Sequence, residues 1–146
     1  MIELTRKPID SSAVLEAVYD VNAGAAVLFV GTVREITGDA VTASLQYDAY
    51  ESMAVAQMQK LADQAKQRWG LKHAAIVHRI GHLELGDIAV AVAVSSAHRG
   101  PSFEAGQWLV DTLKQNVPIW KQEHYANGKV EWVHPTQKSP ATEVPQ

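Results

Sequence analysis

Two lysines on either side of a proline are the residues in this sequence best suited to chemistry. Lys114 and Lys121 flank Pro118 within an otherwise apolar stretch. Because proline lacks an N–H and its ring clashes with the carbonyl four residues earlier, a helix that reaches this segment should end near Lys114 and leave Lys121 beyond the break. A lysine in a water-poor pocket beside other cations can lose its proton and act as a base or a nucleophile. The alternative interpretation is two surface lysines whose aliphatic stems lie along the flanking Trp120.

A second group of chemically capable residues falls between a buried strand and a helix. His98 and Arg99 lie in a predicted turn over residues 98–101, ahead of a helix predicted from Ser102 to about Gln115. Free N–H groups and the positive end of the helix dipole attract anions at such a junction, and an arginine adds a bidentate fork for phosphate. The residues equally suit a structural role, in which His98 bonds a backbone carbonyl and Arg99 pairs with a surface acid.

Other polar residues carry weaker signals. Arg34 follows an apolar strand, and its side chain either points into a cleft or marks where the strand meets water. His78 and His82 have a spacing that binds metal on a helix, but they span a strand end and Gly81, so we expect no metal site. The sequence contains no Gly-rich phosphate loop and no nucleophile elbow.

Composition limits the classes of function. With 146 residues, 47% of them hydrophobic, the chain is long enough for one domain with its own core. A net charge of -3 provides no basic field for nucleic acid, so an anion must be held by a local group of cations. No apolar run reaches membrane-spanning length and residues 1–6 lack a signal peptide's hydrophobic region, so we expect a cytoplasmic protein. Because there is no cysteine, any sulfur chemistry must use sulfur carried by another molecule.

Hydrophobic periodicity predicts an alternation of helices and strands in a single α/β or α+β domain with a mixed sheet. The pattern predicts helices over 10–21, 53–69 and 102–115, and strands over 25–30, 41–49, 73–80, 88–97 and 129–133. The strand beginning at Ile88 should lie in the interior of a sheet, because neither of its faces is polar. In the strand over 41–49, the odd-numbered residues from Val41 to Ala49 should share one face. We expect the domain to cover residues 1–134 and the Pro-, Thr- and Ser-rich tail 135–146 to be mobile.

Five segments, taken in order, resemble the large catalytic subunit of molybdopterin synthase. The resemblance extends from about Gly24 to Val133, and its most specific parts are the paired lysines and Ala97-His98-Arg99. The matching segments are 29–34, 47–54, 78–81, 96–99 and 114–123. This resemblance implies an α+β fold of the α/β hammerhead type with an additional antiparallel sheet. It also implies a homodimer that binds one small ubiquitin-like subunit per protomer, forming a heterotetramer.

The same resemblance implies a sulfurtransferase that needs no cofactor or metal of its own. In this family, the Gly-Gly tail of the small subunit carries a C-terminal thiocarboxylate into a pocket of the large subunit. Two such sulfurs convert cyclic pyranopterin monophosphate into the dithiolene of molybdopterin, a step of molybdenum cofactor biosynthesis.

The resemblance further assigns roles to individual residues. Lys114 would lie nearest the thiocarboxylate, where it neutralises the charge, orients the sulfur or accepts the acyl group. Lys121 would act as a general acid or base or as a phosphate ligand. The substrate-binding residues would be Thr32, Val33, Arg34, His98, Arg99, Lys114, Lys121, Gln122 and Glu123.

The chain departs from the family pattern at one place. Some relatives have an arginine a few residues after the Trp-Val pair and use it across the dimer interface. No arginine follows Trp132 and Val133 here, and His134 or Lys138 are the candidates to replace it.

Two other functions remain open at this point. A non-catalytic module that holds a ubiquitin-like tail or a phosphorylated ligand would bind its partner tightly with dispensable lysines. A phosphate-ester hydrolase that uses His98 would be active without a sulfur donor. The presence of both lysines together with His98 and Arg99 argues against the binding module, because tail binding alone does not require that whole set.

Overall fold

The computed structural model of the protein describes residues 1–133, which form two sheets and three helices. The strands are β1 (Ile2–Thr5), β2 (Ala25–Thr32), β3 (Ile36–Thr37), β4 (Ala40–Ala49), β5 (His73–Arg79), β6 (Gly81–Glu84), β7 (Ile88–Ser96), β8 (Ile119–Tyr125) and β9 (Val130–Val133). The helices are α1 (Ser11–Glu16), α2 (Glu51–Trp69) and α3 (Arg99–Asn116). No helix among these residues has both the length and the apolar character needed to cross a membrane.

The first sheet is mixed and has the order β1-β5-β7-β2. Strand β1 runs parallel to β5, whereas β7 is antiparallel to both of its neighbours. Val92 and Val94 of β7 pack against the core formed with α2 and α3, while Ala91 and Ala93 pack against α1 on the opposite face. The predicted interior position of β7 is therefore confirmed. Its valines pack on the face covered by α2 and α3, and its alanines pack on the face covered by α1.

Helix α2 forms as the periodicity predicts and covers one face of this sheet. Ala54, Met58 and Leu61 face the core, and the helix ends at Gly70, whose left-handed backbone (φ 62°) makes the C-cap. Helix α3 packs beside α2 on the same face of the sheet, where Leu109 is fully buried.

Helix α1 is shorter than predicted, because it ends at Glu16 and not at Val21. Asp10 caps its first turn by accepting a hydrogen bond from the Ala13 N–H. The chain then turns, since the Asp20 carboxylate accepts the Asn22 N–H and binds the His73 ring from β5. Val18 stays buried beyond the helix, but Val21 is fully exposed.

The second sheet is antiparallel and has the order β3-β4-β8-β9, with β6 also pairing with β4. A bulge between Thr42 and Ser44 shifts the alternation of β4, so that Thr42 is buried while Val41 is exposed. The prediction that Val41 and Ala43 share one face with Leu45 is therefore wrong, because both are exposed while Leu45 beyond the bulge is buried.

The boundaries of α3 also differ from prediction. The helix begins at Arg99, three residues before Ser102, because Pro101 fits within its first turn. It continues to Asn116, two residues past Lys114, since Val117 leaves the helix in an extended conformation (φ -94°, ψ 132°). The extended backbone at Val117 directs the Pro118 ring away from the helix, so the ring does not clash with a carbonyl of the preceding turn. The helix therefore ends two residues later than predicted.

Candidate active site

A cleft of about 880 Å³ lies between residues of both sheets and the C-terminal end of α3. Strand β2 and the loop after it contribute Thr32, Val33 and Arg34 to its wall. Lys114 reaches the cleft from the last turn of α3, and Lys121 reaches it from β8. The extended bend that follows α3 thus brings the two lysines to one cavity although seven positions separate them in the chain.

The alternation of β8 decides which of its side chains reach the cleft. Lys121, Glu123 and Tyr125 line the cleft at every second position. Gln122 lies on the other face of the strand, where its side-chain oxygen is 2.8 Å from the ring of His124. The expected contact of Gln122 with the cleft is therefore not formed in this structure.

Lys121 belongs to a small polar network inside the cleft. Its Nζ lies 3.5 Å from Oε1 of Glu123, which forms an ion pair. The Tyr125 hydroxyl donates a hydrogen bond of 2.7 Å to the other oxygen of Glu123 and lies 3.0 Å from Oε2 of Glu131. Hydrogen bonding to Glu123, assisted by burial and by Glu131, raises the pKa of Tyr125, so the phenol stays protonated.

Tyr47 and His78 form an uncharged wall near this network. Burial, with a smaller effect of the Glu123 charge, raises the pKa of Tyr47 to about 12. The Tyr47 ring meets His78 edge-on at 5.0 Å. Burial lowers the pKa of His78 to about 4, although the hydrogen bond from its Nδ1 to the Arg79 carbonyl opposes this shift. Both rings are therefore neutral near pH 7, and the charge of the cleft comes from its lysines, Arg34 and the two glutamates.

His98 and Arg99 lie at the opposite end of α3 from Lys114. His98 is the N-cap of the helix and Arg99 its first residue, and both side chains are exposed. At 1.5 Å per residue, the 18 residues of α3 span about 27 Å. Within one chain, these two residues are not brought together with the lysines and Arg34.

The remaining predicted residues do not form a site in the part of the chain that the structure describes. His82 pairs with Glu84 at 2.9 Å, and the Nδ1 of His78 hydrogen-bonds to the Arg79 carbonyl. Residues 1–133 contain no group of three or more His, Asp or Glu side chains arranged to hold a metal ion. His134, Lys138 and the tail 135–146 lie outside the described residues.

Tyr125 and Glu131 were not among the residues predicted from the sequence. The signal for Tyr125 is weak, because the segment Lys121-Gln122-Glu123-His124-Tyr125 is polar at nearly every position and shows no alternation of apolar and polar residues. Glu131 carries no such signal, because its position opposite Glu123 depends on the register between β8 and β9.

Comparison with known proteins identifies the family. The model of the MoaE protein family matches residues 4–116. The molybdopterin synthase catalytic subunit of Halalkalibacterium halodurans is 42% identical over 130 residues, which are 89% of this chain and 83% of the relative. The corresponding subunit of Bacillus subtilis is 41% identical over 131 residues, with 90% of this chain and 83% of the relative covered.

Solved structures show the same fold. Molybdopterin synthase from Staphylococcus aureus superposes with a TM-score of 0.86 at 36% identity, covering 90% of this chain and 96% of that chain. A complex of subunits 1 and 2 of the molybdopterin-converting factor from Helicobacter pylori has a TM-score of 0.74 at 23% identity, covers 95% of this chain and 93% of that chain, and shows the fold alone. The expected α+β fold and the resemblance are thereby confirmed, and the chain belongs to the MoaE family of molybdopterin synthase catalytic subunits.

Proposed function

We propose that this protein transfers sulfur from the thiocarboxylated C-terminal glycine of a small ubiquitin-like subunit to cyclic pyranopterin monophosphate, producing the dithiolene of molybdopterin. The observation that carries the proposal is the convergence of Lys114, Lys121 and Arg34 on one cleft. A thiocarboxylate and a phosphate are both anions, and a cleft with three cations can bind them side by side. The sequence contains no cysteine, so the sulfur has to enter on the partner.

The two lysines take different roles in this proposal. Lys114 is an exposed residue at the end of α3 and has no acidic partner among the described residues. It is therefore available to neutralise and orient the incoming thiocarboxylate, or to accept the acyl group transiently. Lys121 is paired with Glu123, and this pair can exchange a proton with the substrate as a general acid or base.

The chemistry of each transfer balances without an oxidant or reductant. The thiocarboxylate sulfur forms a bond to a side-chain carbon of the pterin as a carbon–oxygen bond at that carbon breaks, and the displaced oxygen leaves with the phosphate or as water. Water then hydrolyses the acyl–sulfur bond. The small subunit leaves with an ordinary carboxylate, and the sulfur remains on the substrate. Two rounds of this reaction supply the two sulfurs of the dithiolene.

A homodimer would complete the anion site. The length of α3 keeps the backbones of His98 and Arg99 about 23 Å from that of Lys114 within one chain, so they can contact the same substrate only from a second copy. We therefore place His98 and Arg99 of one protomer beside Arg34 of the other, with one small subunit bound to each protomer. Thr32, Val33 and Glu123 complete the substrate site from the cleft wall, and Gln122 supports it from the far face of β8.

We also propose a cytoplasmic location. It is supported by membership of a family of biosynthetic enzymes and by apolar runs in the sequence that are too short to span a membrane.

The test is reconstitution from three components. The protein, a thiocarboxylated small subunit and the pyranopterin precursor should together yield a dithiolene product. A small subunit that ends in an ordinary carboxylate should still bind, because a tail groove recognises the extended peptide and its charge, but it should give no product. Pretreatment of this protein alone with a thiol-alkylating reagent should leave the reaction unchanged, since the chain has no thiol.

The rival functions give different outcomes in the same assay. Tight binding without any product would identify a non-catalytic module. Release of phosphate without a sulfur donor would identify the phosphate-ester hydrolase and refute the proposed sulfur transfer.

A further inference from the structure

Tyr125 places a single hydroxyl between two carboxylates inside the cleft. Glu123 of β8 and Glu131 of β9 lie directly opposite each other in the antiparallel ladder. Like charges at such a position destabilise a strand pair unless something lies between them. The Tyr125 oxygen fills this position, at 2.7 Å from Glu123 and 3.0 Å from Glu131.

The arrangement leaves the two carboxylates unequal. A phenol has one hydrogen to donate, so it can satisfy only one of the two acceptors at a time. The shorter contact and the lower exposure favour Glu123, whose side chain is 16% exposed. Glu131 is the exposed member, and its Oε2, at 3.0 Å, is the more distant of the two acceptors that share this hydrogen.

The carboxylate of Glu123 is thus held from both sides. Its Oε2 accepts the Tyr125 hydroxyl, which fixes the plane of the carboxylate, while Oε1 faces Lys121. The Lys121–Glu123 distance of 3.5 Å is longer than a normal hydrogen bond, so the carboxylate attracts the ammonium electrostatically without fixing it through a short hydrogen bond. Lys121 keeps the freedom to move towards a substrate, whereas Glu123 does not.

We propose that Tyr125 is a positioning residue for the reaction: its hydroxyl holds the Glu123 carboxylate against the charge of Glu131 and thereby places Lys121. In this role Tyr125 acts through Glu123 and takes no part in bond making or breaking. This inference rests on the proposed sulfur transfer, and it adds to that proposal a residue that controls the position of the Glu123 carboxylate relative to Lys121. Without the hydroxyl, the two opposed carboxylates move apart and Glu123 no longer presents Oε1 to the lysine.

The experiment measures kcat, the KM for the precursor and the melting temperature for four variants of the full chain. The small subunit is thiocarboxylated and saturating, and each kcat is normalised to the folded fraction. Tyr125→Phe keeps the ring and removes only the hydroxyl. Tyr19→Phe is the matched control, because Tyr19 is exposed and its hydroxyl forms no hydrogen bond within residues 1–133. The other two variants are Glu123→Gln and the double variant Glu123→Gln with Tyr125→Phe.

We expect Tyr125→Phe to lower kcat about tenfold, the effect of one charge-assisted hydrogen bond, and to change the KM less than about twofold. In the Glu123→Gln background, the same substitution should change kcat less than about twofold, since two residues that act through one contact are not additive. Tyr19→Phe should match the wild-type protein in all three measurements.

Two results would overturn the inference. One is a Tyr125→Phe variant with normal kcat, including a variant that only melts earlier, because the hydroxyl would then merely join β8 to β9. The other is an equal loss with and without Glu123, because Tyr125 would then act elsewhere.

Glu131→Gln provides a second test on an exposed residue that does not support the core. With a neutral amide in that position, the phenol hydrogen has a single carboxylate to bind, so at least half of the wild-type kcat should remain. A tenfold loss would assign the effect to Glu131 and contradict the role of Tyr125. A wild-type protein that makes no dithiolene would refute the proposed function itself, which separates that failure from this one.

Discussion

The two ends of α3 carry similar chemistry but stand in different surroundings. At its C-terminal end, Lys114 joins Lys121 and Arg34 around a cleft whose wall includes an aromatic ring and two carboxylates. At its N-terminal end, His98 and Arg99 are exposed and do not line that cleft. The C-terminal end therefore surrounds a ligand-sized space within one chain, and the N-terminal end stays outside it.

This difference shows how a helix divides a predicted site. A rigid helix of 18 residues fixes the separation of its two ends at about 27 Å, and no side chain is long enough to bridge that distance. The lysines meet because the chain reverses direction at Val117 and Pro118, whereas nothing returns the N-terminal end of α3 to the same place. Residues that act on one substrate can thus lie on two separate surfaces of a chain, and a symmetric dimer can bring the two surfaces of different protomers together.

The largest effect should come from Lys114→Ala. Removing the amine nearest the thiocarboxylate should lower product formation by about 100-fold or more, the usual contribution of a group that handles protons or charge in the transition state. The melting temperature should change little, because Lys114 is exposed and lies outside the core. The matched control is Lys66→Ala, which removes an exposed lysine from the last turn of α2. Near-normal turnover of Lys114→Ala would contradict its catalytic role.

Mixing two impaired variants, at a precursor concentration far below the dissociation constant of the Arg99→Ala protein, tests the separation of the two ends directly. If His98 and Arg99 serve the cleft of a second copy, a Lys114→Ala chain paired with an Arg99→Ala chain contains one intact site. After random exchange of protomers, the mixture should recover about a quarter of the wild-type activity, because half of the dimers are mixed and each has one working site. Mixed dimers that form but stay inactive would show that the two ends of α3 do not share a site.

Substituting the arginines should weaken precursor binding by an intermediate amount. A guanidinium–phosphate contact is charge-assisted, so Arg34→Ala or Arg99→Ala should raise the dissociation constant of the precursor by about tenfold or more. The affinity for the small subunit, titrated separately, should change less than about twofold. Arg68→Ala is the control, since that guanidinium lies 4.3 Å from the centre of a Trp69 ring on α2. An equal loss of affinity for both ligands would mean that the arginines hold the tail of the small subunit.

The smallest effect should appear in the pH dependence of stability. His78 has a pKa of about 4 in the folded protein and of 6.5 in the unfolded chain, so the unfolded chain binds more protons between these values. The free energy of unfolding should therefore fall by roughly 2 kcal/mol on this account as the pH drops from about 7 to about 5. Urea titrations of His78→Gln should lose this part of the pH dependence, whereas His98→Gln, at the exposed end of α3, should keep it. Identical pH profiles for His78→Gln and the wild-type protein would show that His78 is not the group responsible.

Local patterns in the sequence predict helix α2 and the interior strand β7 of the first sheet. Helix α2 and strand β7 were predicted because their apolar residues repeat at the spacing of a helix or leave no polar face, and these patterns reflect burial directly. The lack of cysteine and the paired lysines likewise limited the chemistry, because they exclude a thiol nucleophile and favour an amine. The resemblance to the family rested on short segments that carry these same lysines.

Strand β8 was not predicted because its cleft-facing residues are charged or polar. Lys121, Glu123 and Tyr125 alternate with other polar residues, so the strand has no hydrophobic period although it is well paired with β4. The bulge after Thr42 could not be predicted from the sequence either, because one extra residue in a strand changes which face is exposed without changing the composition.

Which charged groups contact one another depends on the register of the strands and on the placement of α3. The register of β8 against β9 sets Glu131 opposite Glu123, and a shift of one residue would turn Glu131 away from the cleft. The bend after α3 brings Lys114 to Lys121, and the length of α3 keeps Arg99 away from both. The physical reason is that local sequence patterns record burial and backbone preference, whereas contacts between polar side chains depend on how distant strands and helices are placed.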